Sequence, residues 1–98
     1  MNKQVPNFII EIYEMISRVF PDGISEESYW VLLYLLYDYL ADENLALVMS
    51  YLVEKEMGTI ENDIYKVCQM QFDDKLVHDV KSRLDAQGFK VKGYRRIL

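Results

Sequence analysis

One cysteine, one histidine, two prolines and four separated glycines leave this 98-residue chain short of the residues that build most chemical sites. A lone thiol excludes an intramolecular disulfide; at a helical core position Cys68 reads as a small buried hydrophobe, suited to a reducing compartment. With His78 alone, and no Cys-x-x-Cys, His-x-x-x-His or Glu-x-x-His spacing, no dedicated metal site is expected. His78 follows Val77 on the same helix, turned about 100° from it, and reads as solvent-facing. Glycines 23, 58, 88 and 93 stand singly, so no phosphate-cradling loop is present. No nucleophile-elbow pattern accompanies the serines. These shortages argue against an enzyme and against a bound cofactor.

Long apolar runs are missing too. The longest, residues 29–37, spans nine residues, whereas a membrane-crossing helix needs roughly 20. Residues 1–6 lack the basic start and apolar stretch of a secretory signal. The expectation is a cytoplasmic protein without a membrane span. Repeats and low-complexity stretches are also absent.

What is present is a core. Apolar residues make up 51% and charged residues 28%, enough for one hydrophobic centre and too few residues for two. Sixteen acids and eleven bases give a net charge of −5. Residues 88–98 carry Lys90, Lys92, Arg95 and Arg96 without an acid, so this end is +4 and the remainder is 7 − 16 = −9. Such an acidic body repels nucleic acid, and any phosphate contact must come from the tail.

Periodicity predicts an all-α bundle of about five short helices. Ile9, Ile12, Ile16 and Val19 set the first, about residues 6–19, with Phe8 and Phe20 extending its apolar face. Pro21 and Gly23 then make a turn, and Ser25 is placed to cap the next helix. That second helix, about 26–40, carries Tyr29, Leu32, Leu33, Leu36 and Leu40 and is apolar around most of its girth, which marks a central helix. Asp42 opens the third, about 43–57, with Gly58 as its stop; Thr59 or Asn62 opens the fourth, about 61–71; Asp73 opens the fifth, about 74–87, which Gly88 ends. Residues 1–88 thus read as the bundle domain, and 89–98 as a basic tail packed on it, with a small hairpin turn at Lys92-Gly93.

The acidic pairs Glu26/Glu27, Asp42/Glu43 and Asp73/Asp74 fall at helix starts, where carboxylates complement the helix dipole rather than perform acid–base work. Trp30, Tyr34 and Tyr37 follow i, i+4, i+7 spacing beside the core face of the second helix. That stripe is either buried core or a contact surface, including one for a homodimer. Lys90, Lys92, Tyr94, Arg95 and Arg96 are the candidate tail contacts.

Phe20-Pro21-Asp22-Gly23-Ile24, then Tyr29 with Leu32-Leu33 and Leu35-Leu36, then Asp63-Ile64, then Arg83-Leu84 with Gly88-Phe89 form a recognisable series. It resembles a small actinobacterial-type helical domain family of unknown function, over about residues 8–89. The resemblance implies a compact bundle of roughly five helices and carries no activity with it. The aromatic excess and the missing catalytic chemistry make the leading expectation a non-enzymatic protein-interaction module that uses the Trp30/Tyr34/Tyr37 face, self-associating or binding an unidentified protein partner. An acidic, immunity-like inhibitor of a basic partner is the second reading, and a small regulator touching nucleic acid through the tail is the third.

Overall fold

The computed structural model describes residues 4–88. A 3-10 turn, Asn7–Ile9, runs into α1 (Ile10–Val19), followed by α2 (Glu26–Leu36), α3 (Asp42–Leu52), α4 (Met57–Val67) and α5 (Asp74–Ala86). These make an all-α bundle without a strand among the described residues. The expected tail hairpin, the domain boundary at residue 88/89 and the basic contacts Lys90, Lys92, Tyr94, Arg95 and Arg96 lie outside them.

Several boundaries move from their sequence positions. The second helix stops at Leu36, four residues early, and the chain turns through Tyr37–Leu40. The third stops at Leu52, and Val53 is extended, at φ −130° and ψ 164°. Gly58 does not end that helix; it sits in the first turn of α4, which begins at Met57. Ala41 occupies the N-cap position of α3, with Asp42 already helical, and Asp73 stands at the N-cap of α5 without a side-chain capping bond. Ser25 does cap α2, its hydroxyl accepting from the Ser28 N–H at 3.1 Å. Gly23, at φ +105°, makes the α1–α2 turn in a conformation that a side chain disfavours.

Packing follows a closed circuit. α1 lies against α3, α3 against α4, α4 against α2, α2 against α5, and α5 returns to α1. Two contacts fasten the last joint: the Arg18 Nε–H donates to the Gln87 side chain at 2.9 Å, and the Arg83 guanidinium lies 5.7 Å from the Phe20 ring centre. Between α1 and α3, Tyr13 and Tyr51 meet edge to face at 6.5 Å.

α2 is the most enclosed element, with Tyr29, Val31, Leu32, Leu33, Leu35 and Leu36 all buried. This is the central placement its all-round apolarity predicts. Ile16, Val19, Leu45, Val48, Met49, Ile60, Ile64, Val67, Val77, Val80 and Leu84 complete most of the core. Two expected core residues are outside it. Cys68, the residue after Val67 at the end of α4, is exposed although its backbone is still helical, and Phe8 is 68% exposed.

Candidate functional site

The polar residues with most geometric definition gather where α2, α4 and the α3–α4 link meet. Ser25 fixes the start of α2, placing Glu26 in its first turn and Tyr29 one turn further along. Asp63 lies three residues after Ile60 and four before Val67, so helical periodicity carries it onto the buried face of α4. At 5% exposure it is the one buried charged side chain among the described residues.

A buried carboxylate requires partners. Tyr29 Oη donates to Asp63 Oδ2 at 2.6 Å, and Lys55 Nζ stands 3.5 Å from the same oxygen. That ammonium also pairs with Glu26 Oε2 at 3.3 Å and lies 3.9 Å from the Tyr29 ring centre and 5.6 Å from the Trp30 ring. Trp30 Nε1–H donates to Glu26 Oε2 at 3.0 Å and its ring meets Tyr29 edge on at 5.4 Å. Two carboxylates and two aromatic rings thus surround one cation. Beside it opens a recess of about 350 Å³ walled by Ile24, Leu52, Val53 and Glu54.

The Tyr29 phenol is pushed far above the ordinary tyrosine range, first by burial, then by donating to Asp63, then by the negative charges of Asp63 and Glu26. Unfolding restores ionisation near pH ~10. The stabilisation from holding this phenol neutral is therefore fully present below about pH 10 and declines as pH rises toward the folded-state value. In an alkaline series of denaturant midpoints, Tyr29→Phe is expected to flatten part of the stability loss above about pH 10. A wild-type curve and a Tyr29→Phe curve of the same alkaline slope would show that this phenol ionises freely.

A second feature lies along α1. Phe8 borders a groove of about 670 Å³ with Ile12 and Met15, framed by Glu11, Glu14 and Arg18. In the 3-10 turn that precedes α1, Ile9 is buried and its neighbour Phe8 is exposed.

The aromatic stripe is divided between separate surroundings. Trp30 belongs to the Lys55 cluster, Tyr34 packs on Phe72 with ring centres 4.9 Å apart, and Tyr37 sits in the turn after α2. All three are half-buried against the core. The acidic pairs do stand at the starts of α2, α3 and α5, and Glu26 additionally holds Trp30 and Lys55. His78 is exposed, as expected.

Tyr29 and Asp63, read from the sequence as a core aromatic and as one residue of a family-like series, are joined directly by the fold. Phe20 and Arg83, from the same series, also meet. The series therefore marks contacts that tie helices together. No curated protein and no solved structure matches the chain. A family model described as "Protein of unknown function (DUF3349)" matches residues 7–93, and with nearly its whole length covered the chain belongs to that family.

Proposed function

We propose that this chain is a non-enzymatic helical protein-interaction module of the cytoplasm, and that the groove beside Phe8 makes its contact. The observation carrying this reading is the 68% exposure of a phenylalanine, a side chain with no polar atom to favour water, at the rim of a groove containing Ile12 and Met15. Aromatic anchors of this kind supply a large share of interface energy. Tyr65 is equally exposed on α4, but unlike phenylalanine it carries a hydroxyl that water can solvate. The exposed thiol of Cys68 suits a reducing compartment.

The test is affinity capture from native extract with nuclease present, comparing wild type with Phe8→Ser. A protein partner is expected to be retained by wild type and lost by the variant, with thermal stability nearly unchanged. Retention by Phe8→Ser together with loss by Trp30→Ala/Tyr34→Ala would move the contact to α2. Recovery of nucleic acid that disappears on truncation after Gly88 would move it to the tail.

Glu11 and Glu14 on the same groove favour the inhibitor-like reading as a second possibility, in which a basic partner is steered by charge. An association rate that falls steeply with salt distinguishes it from a contact made through Phe8 alone.

A further inference from the structure

We propose that the cluster around Lys55 is an exchangeable ammonium site: Glu26, Asp63 and the rings of Tyr29 and Trp30 hold the Lys55 ammonium at rest and accept in its place a primary ammonium on a short apolar stem. The inference is independent of the groove on α1, and its failure leaves that reading untouched.

A cation is already seen in the cage, 3.3 and 3.5 Å from two carboxylates and 3.9 Å from a ring centre, so the chemistry recognised is on display. Ring faces attract ammonium groups, more strongly where water is partly excluded. Lys55 belongs to the non-helical link between α3 and α4, on a flexible stem whose side chain is 24% exposed. Its departure therefore needs side-chain rotation and no unwinding of a helix. Glu54 and Glu56 flank it in the link, giving the displaced ammonium other carboxylates nearby.

Exchange also satisfies the electrostatics. Removing Lys55 alone leaves Asp63 buried beside a neutral phenol, which is costly. An incoming ammonium replaces the lost charge one for one. The adjoining recess of about 350 Å³ offers Ile24, Leu52 and Val53 to an apolar stem. Because Lys55 is tethered, it competes at an effective concentration on the order of millimolar, so a free amine must be present at similar levels.

Trp30 is the chain's sole tryptophan, and its indole N–H reports the site directly. Wild type and Lys55→Met are titrated with n-butylammonium at constant ionic strength, following the Trp30 Nε1–H resonance, with n-butanol as the uncharged control. The expected result is a saturable shift with butylammonium and none with butanol, and at least about tenfold tighter binding by Lys55→Met once the tethered competitor is removed. A terminally blocked tripeptide with a central lysine separates the two sources of this chemistry. Tighter binding of the peptide assigns the site to a protein lysine; tighter binding of butylammonium assigns it to a free amine. Absence of a saturable shift in folded wild type, or equal affinity in wild type and Lys55→Met, overturns the proposal. Should Lys55→Met fail to fold, the wild-type titration alone decides.

Discussion

Replacing Asp63 by alanine is expected to lower the unfolding free energy by about 3 kcal/mol, near the lower end for breaking a buried ion pair by removing one partner. In a domain of this size that corresponds to a fall of roughly 15 °C in Tm. The loss is large because the change orphans two groups at once. The Tyr29 hydroxyl, on a residue 1% exposed, loses its 2.6 Å acceptor, and the Lys55 ammonium loses its inner carboxylate. It stays near the lower end because Lys55 retains Glu26 and some solvent. Tyr29→Phe, which leaves the carboxylate and the lysine in place, is expected to cost about 1.5–3 kcal/mol, the range for a hydrogen bond to a charged group. The double variant Tyr29→Phe/Asp63→Ala should fall short of the summed losses by about 1 kcal/mol or more, since both single changes remove the same bond. Urea denaturation of the four proteins measures this cycle. Strict additivity, or a loss below about 1 kcal/mol for Asp63→Ala, would mean that the cluster contributes little to holding α2 against α4.

Leu33→Ala is expected to have the larger effect, about 3–5 kcal/mol. Leu33 is fully buried in a helix whose six buried residues face α4, α5 and the rest of the core from several directions. Collapse into the vacated space is therefore restrained on most sides, and the cavity term adds to the lost transfer energy. Against a total stability of about 5–15 kcal/mol for a domain of this length, such a loss approaches unfolding at moderate temperature. Phe8→Ala provides the contrast. At 68% exposure its removal should change the urea midpoint little. Comparable losses at the two positions would show that α2 is less enclosed, or Phe8 more buried in solution, than the structure has them.

The number and order of helices, the central place of α2 and the Ser25 cap are legible in the sequence because each has a local cause. An apolar run with two acids at its start specifies a buried helix with a favoured N-terminus, whatever surrounds it. Boundaries set by tertiary packing are less visible. Val53-Glu54-Lys55-Glu56 contains neither proline nor glycine, yet the helix breaks there so that α4 can fold back along α3. Gly58 offers stop chemistry and is used inside a helix instead.

Cys68 continues the spacing of Ile64 and keeps helical backbone angles, yet at the last turn of α4 it is exposed. Phe8 sits at the edge of the apolar face in the 3-10 turn ahead of α1, where Ile9 takes the buried position and leaves it exposed. Asp63 does carry a signal: an acid placed between Ile60 and Val67 at helical spacing occupies the apolar face and must find a partner there. What spacing does not reveal is which partner, because Tyr29 is 34 residues away and Lys55 lies in an unremarkable link.

The closed circuit of helices has a consequence for the order in which the chain organises itself. Of its five joints only α3–α4 connects sequence neighbours; the others wait for segments made earlier or later to come together. An α3–α4 hairpin is thus the one unit able to form from local contacts, and loop-closure entropy opposes the remaining joints until they form jointly. A chain stopped before Asp74 leaves α1 and α2 each without one flank, so their faces toward α5 have no enclosure until it arrives. Folding of this kind is gated by α5, and the acquisition of native structure by progressively longer chains should be abrupt rather than gradual.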